Sequence, residues 1–201
     1  MKVTHYLKIL GLALLLTSCS DGGSLAPVSD GGTGTGTDNE ETILDYVVSG
    51  GEAFTCVKNN SGLVKCWGRN NIGQLGQGNI VDLGTNAGEM GANLAALDFG
   101  TGRTVKKLAA GRFSSCVILD NDDLKCWGGN SHAQLGLGDT NKRGDDAGEM
   151  GDNLPAVRLG TGVVPADVGV GENFACVLTT QGKVKCWGSA GLGSVGTGVG
   201  G

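Results

Sequence analysis

Lys65-Cys66-Trp67-Gly68 returns as Lys125-Cys126-Trp127-Gly128 and again as Lys185-Cys186-Trp187-Gly188, 60 positions later each time. The period extends in both directions. Upstream, Gly51, Gly111 and Gly171 share one phase, as do Cys56-Val57, Cys116-Val117 and Cys176-Val177. Downstream, Gln74-Leu75-Gly76 returns as Gln134-Leu135-Gly136, and Ala87-Gly88-Glu89-Met90-Gly91 as Ala147-Gly148-Glu149-Met150-Gly151. Gly100-Thr101-Gly102 recurs as Gly160-Thr161-Gly162. Self-similarity at a fixed period is the signature of a repeat architecture, in which each unit buries its apolar face only by stacking on its neighbours.

Within each unit, short β-prone runs alternate with turn residues. In the second unit the expected strands are Lys107–Ala110, Ser114–Leu119, Asp123–Trp127 and a short fourth, Ala133–Leu135. The second and third of these form a hairpin. Setting Cys56 opposite Cys66 puts Val57 opposite Lys65 and leaves Asn60-Ser61-Gly62 as a three-residue loop. Such a loop wants a left-handed residue last, a place Gly fills best and Asp tolerates; the three units offer Gly62, Asp122 and Gly182. Residues opposed across antiparallel strands lie about 4.5–5.5 Å apart at Cα, within the reach of a disulfide. The expected pairs are Cys56–Cys66, Cys116–Cys126 and Cys176–Cys186. A zinc site would need closer cysteine pairs or histidines, and a redox-active pair the Cys-x-x-Cys spacing.

The composition agrees. Glycine fills 39 of 201 positions and only 4% of residues are aromatic, which argues against helical bundles and coiled coils and for a glycine-punctuated all-β chain. Removing Lys2 and Lys8 with the leader leaves 13 of the 15 basic residues against 20 acidic ones. That balance attracts no nucleic acid.

The N-terminus reads as an address. Lys2 and Lys8 precede the apolar run Ile9–Leu16, which is too short to span a bilayer and suits a secretory signal peptide over residues 1–18. Leu16-Thr17-Ser18-Cys19 resembles the lipobox of bacterial lipoproteins, which implies cleavage before Cys19 and its lipidation. Cys19 is also the odd cysteine of seven. By the same resemblance, Ser20 after the cysteine implies the outer membrane or cell surface. Residues 19–42 are rich in Gly, Thr and Ser and read as a flexible tether, reaching roughly 25–30 Å on average.

The string Gly-x-x-x-Ser/Thr-Cys-Val…Val-Lys-Cys-Trp-Gly-x-Asn-x-x-Gly-Gln-Leu-Gly resembles the repeat of the regulator of chromosome condensation family, in the bacterial variant with two hairpin cysteines. It covers residues 43–201, as repeats of about 43–102, 103–162 and 163–201. The resemblance implies a seven-bladed β-propeller, of which this chain supplies about two and a half to three blades. In the last repeat Ser189–Gly196 has lost the Asn and Gln-Leu-Gly pattern. The preferred expectation is a piece of a longer gene; the alternatives are assembly with other copies through open blade edges, or a marginally folded product.

The individual residues give little chemistry. His132, the sole histidine outside the leader, corresponds to Ile72 and Leu192 and reads as surface. Trp67, Trp127 and Trp187, with Gly68, Gly128 and Gly188, read as structural repeat positions that pack the blades. The loops Gly78–Leu94 and Gly138–Leu154 read as solvated. Asp139–Gly144 begins like a calcium loop, but Arg143 sits where a third oxygen ligand belongs. Gly100-Thr101-Gly102 lacks the lysine and strand–helix setting of a phosphate loop. No catalytic residue, metal or cofactor is expected. The function read from this is a binding module for an unidentified protein or surface ligand, held to the envelope by a lipid. The alternatives are an inhibitor of a secreted enzyme such as a β-lactamase and, from the eukaryotic namesake, guanine-nucleotide exchange on a small GTPase.

Overall fold

The structure, a computed structural model, describes residues 46–196; the leader, Cys19 and the tether lie outside the described residues. It contains three antiparallel three-stranded sheets, each ordered as the chain runs. The first holds β1 (Val47–Gly50), β2 (Phe54–Lys58) and β3 (Val64–Gly68). The second holds β4 (Val105–Ala110), β5 (Ser114–Leu119) and β6 (Leu124–Gly128). The third holds β7 (Pro165–Val170), β8 (Phe174–Thr179) and β9 (Val184–Gly188). The sheets approach one another at β1, β4 and β7 and spread apart towards β3, β6 and β9. This is the arrangement of neighbouring blades in a propeller.

Hairpin register follows the cysteines. Cys56 opposes Cys66, Cys116 opposes Cys126 and Cys176 opposes Cys186. Each pair is a disulfide with Cα atoms 4.1 Å apart. Gly62, Asp122 and Gly182 take φ values of 79°, 69° and 74° at the loop ends, where the left-handed residue was expected. Gly68, Gly128 and Gly188 are fixed by two constraints. Their φ values are 107°, 98° and 106°. A Cβ on Gly128 would also stand 2.6 Å from the Phe113 carbonyl oxygen. Only glycine meets both.

Two expectations need correction. The inner strand of the second sheet begins at Val105 rather than Lys107, because a bulge between those residues preserves the pairing of Val105 with Leu119. The third sheet repeats the irregularity between Pro165 and Asp167. Proline is tolerated at this first strand position, where its missing N–H interrupts no ladder.

The fourth strand is absent. Ala133–Leu135 forms a turn, with Ala133 at φ 57°. The amides a strand would pair are already taken: Gly136 N donates to Ala133 O at 3.0 Å and Leu135 N to Asn130 Oδ1 at 2.9 Å. The long loop instead covers the outer edge of β6 through isolated bridges, Gly128 to Arg143 and Lys125 to Ala156.

Two apolar cores lie between the sheets. The first joins Cys56, Val64 and Cys66 to Leu108, Val117 and Trp127. The second joins Cys116, Leu124 and Cys126 to Val168, Val177 and Trp187. The middle sheet is therefore buried on both faces, and β5 and β6 are buried at every position.

Candidate functional site

The candidate interaction surface consists of the two long loops and the blade junctions that hold them. Asn70 anchors the first loop. Its Nδ2 donates to the carbonyls of Asn79 at 2.8 Å and Val81 at 3.1 Å, and its Oδ1 accepts from Leu75 N at 2.9 Å. Asn130 repeats the clamp on Asp139 O at 3.0 Å, Asn141 O at 2.8 Å and Leu135 N. Both asparagines are fully buried, so the satisfied amide fixes the loop at little desolvation cost.

A second device closes each loop. One oxygen of Glu89 accepts the backbone N–H groups of Gly84, Thr85 and Asn86, each at 2.9 Å. Hydrogen bonds from the side chain and backbone of Asn86, joined by those of Gly84 and Thr85, hold its carboxyl below the usual glutamate range. Glu149 takes the same role, accepting from Gly144 N at 2.8 Å and Asp146 N at 3.1 Å. The repeated Ala-Gly-Glu-Met-Gly is thus a loop clasp. Its period was visible in sequence. Its role was not, since a glutamate among glycines carries no signal for which amides it accepts.

The blade junctions use the tryptophans. Trp127 Nε1 donates to Gln74 O at 3.1 Å, and Trp187 Nε1 to Gln134 O at 2.9 Å. Each indole thereby ties its own sheet to the loop of the sheet before it, with Phe99 tilted against Trp127 at 5.2 Å. Lys125 crosses the same junction, donating to the carbonyls of Phe99 at 2.8 Å and Gly151 at 2.9 Å. Burial pushes its ammonium below the usual lysine range, offset in part by Asp123, Asp152 and Asp98.

At the convergent side, the Gly51, Gly111, Gly171 phase acquires a reason. A Cβ on Gly51 would stand 2.4 Å from Gly111 O, and one on Gly111 2.0 Å from Gly171 O. Successive sheets touch there, backbone on backbone. The next position in each unit builds a charge ladder, with the Arg112 guanidinium bonded to Glu52 on one side and Glu172 on the other. The hydrogen bond from Arg112 holds the Glu52 carboxyl below its ordinary range.

The remaining candidates fall into place. His132 is exposed. Arg143 fills the centre of the calcium-like loop, donating to Asp139 Oδ2 at 2.8 Å and to Asn141 O at 3.0 Å. Gly100-Thr101-Gly102 holds a carboxylate of its own chain: Asp152 accepts from Thr101 N at 2.9 Å and Thr101 Oγ1 at 2.6 Å. Among the described residues, no group of three or more His, Cys, Asp or Glu is placed to hold a metal.

Three stacked, hairpin-built sheets with indole-tied junctions define a repeat protein of the propeller class. Residues 105–134 and 166–193 match the model of the regulator of chromosome condensation (RCC1) repeat. The chain thus carries repeats of that family.

Over 158 residues it is 31% identical to the mouse X-linked retinitis pigmentosa GTPase regulator, covering 76% of this chain and 14% of that protein. It is 29% identical over 154 residues to the Arabidopsis thaliana ultraviolet-B receptor UVR8, covering 75% and 31% of the two. Among solved structures, it superposes on Saccharomyces cerevisiae Prp20p with a TM-score of 0.55 at 19% identity, covering 76% of this chain and 35% of that one. Human WBSCR16 gives 0.53 at 22% identity, with 71% and 33% covered. The chain therefore spans less than a third of these curated relatives, and about a third of the solved propellers. The structural likenesses establish the fold. The three disulfides point to an oxidising compartment, where such bonds persist.

Proposed function

We propose that this chain is an exported lipoprotein of the bacterial envelope, anchored through Cys19, and that its blades carry a binding module for a protein or surface ligand. The single observation that supports the binding role is the contrast inside the two loops. Their framework is the same, clamped by Asn70 and Glu89 in one and by Asn130 and Glu149 in the other. Their exposed tips differ. Ile80 and Val81 are 58% and 60% exposed in the first, where the second has Thr140 and Asn141. A rigid frame presenting variable tips is the economy of recognition proteins, and apolar side chains held out in water suit a contact surface.

The leader, Cys19 as the odd cysteine of seven and the disulfides together support the address. The test has two parts. Cells expressing the full chain are labelled with radioactive palmitate, with Cys19→Ala as control; label in the wild type alone supports the anchor. Intact cells are then photocrosslinked from position 80. A discrete adduct lost on Val81→Ser, but kept on Thr140→Ser, supports the loop as contact surface. An adduct indifferent to both overturns it.

A further inference from the structure

Met90 and Met150 share one phase of the repeat, each directly after a clasp glutamate. The cysteines among the described residues are all in disulfides. With no thiol among those residues, the sulfurs that an oxidant meets there are the two thioethers.

Met150 is half-buried and packs against the first apolar core. Two glycines fix where its side chain ends. A Cβ on Gly76 would stand 3.1 Å from Met150 Cε and 3.0 Å from Trp127 Nε1, and a Cβ on Gly144 would stand 3.4 Å from Met150 Sδ. The thioether therefore lies beside the indole N–H that bonds the Gln74 carbonyl. It also lies where the two long loops meet. Gly78 N donates to Gly144 O at 3.0 Å, and Glu149 holds the Gly144 amide at 2.8 Å. A cleft of about 360 Å³ between those loops is lined by Gly76, Gly78, Leu97, Gly148 and Met150. Hydrogen peroxide is little larger than water, whose share of the liquid is about 30 Å³, so the cleft admits it.

We propose that Met150 is a modification site, oxidised by a peroxide, and that its sulfoxide unties the junction between the first and second sheets. The Met150 sulfur gives an electron pair to one peroxide oxygen. The S–O bond forms as the O–O bond breaks, and the departing hydroxide takes the proton from the transferred oxygen and leaves as water. Sulfur is oxidised by two electrons and the peroxide is reduced by the same two. The product sets a polar S=O group where an apolar thioether was packed. Its oxygen is an acceptor beside Trp127 Nε1. An indole has one N–H, so a bond to the sulfoxide is a bond taken from Gln74. The inference needs neither the lipid anchor nor a ligand at the loop tips.

The experiment uses the folded full chain carrying Met90→Leu, in which Met150 is the one methionine besides Met1. It is treated with hydrogen peroxide at neutral pH. The peptide holding Met150 is expected to gain one oxygen. By NMR, exchange of the Trp127 indole N–H with water is expected to quicken about two- to tenfold, the worth of one ordinary hydrogen bond. The chain with both Met90→Leu and Met150→Leu, a second swap of similar volume, is expected to show neither change. A Met150 that gains oxygen only after the chain is unfolded in urea overturns the proposal. So does an oxidised Met150 with indole exchange unchanged, or the same acceleration in the chain that lacks Met150.

Discussion

The indole N–H of Trp127 bonds the backbone carbonyl of Gln74, 53 residues earlier and one sheet away, at 3.1 Å. A fully buried aromatic here serves as packing and as a polar tie at once. Trp187 makes the same bond to Gln134, so the tie belongs to the repeat.

Trp127→Phe keeps most of the apolar contact and leaves the Gln74 carbonyl without its donor. It should cost about 1–3 kcal/mol, the penalty for a buried polar group left unpaired. Trp67→Phe, a half-buried indole that donates to no carbonyl among the described residues, should cost less, since it leaves no acceptor unpaired. Urea denaturation of the two variants measures the difference.

Gly128→Ala meets both a φ of 98° and a carbonyl oxygen 2.6 Å from the new Cβ. The loss should be about 2–3 kcal/mol, the upper range for stored backbone strain. Gly138, at φ 84° with open space around it, is the control; Gly138→Ala should cost about 1 kcal/mol, from conformation alone. Thermal melts of both variants separate crowding from strain.

Ser115 Oγ is buried without a hydrogen-bond partner, and the third sheet places Ala175 at the equivalent position. Ser115→Ala should therefore stabilise by about 1 kcal/mol, since it removes an unsatisfied hydroxyl and keeps the shape. Denaturant midpoints at constant slope give the sign directly.

Acid should loosen the loops and the ladder. The carboxyl groups of Glu89, Glu52 and Asp152 are all held below their ordinary values, chiefly by hydrogen bonds from Asn86, Arg112 and Thr101. A depressed folded-state value means the stabilisation is complete above the unfolded value, about 4.5 for these glutamates and 3.8 for the aspartate. It is lost as pH falls through the lower folded value. Stability should thus be flat from neutral pH down to about 5 and decline below it; Glu89→Gln should shrink the decline. A pH series of chemical melts checks both.

The hairpins were legible because three independent signals coincided: the cysteine spacing, the closing Gly62, Asp122 and Gly182, and strand alternation. Each is local, and local signals survive folding. The fourth strand failed for the same reason in reverse. Ala133–Leu135 has the pattern of a strand, but Asn130, five residues before Leu135, captures the amide that a ladder would need. Trp127 could be read as packing, while its partner Gln74 could not. The bond crosses between repeats, and the period marks both residues without pairing them. Glu89 and Glu149 were hidden likewise, because the backbone amides they accept leave no mark in the sequence.

The most direct test of the account is non-reducing peptide mapping of the exported protein by mass spectrometry. Three hairpin links should appear, Cys56–Cys66, Cys116–Cys126 and Cys176–Cys186, with Cys19 in none of them. Each should stabilise by about 2–3 kcal/mol on the chain-entropy model. Free thiols at these six positions, or links that join one repeat to another, would contradict both the oxidising compartment and the register on which every blade is built.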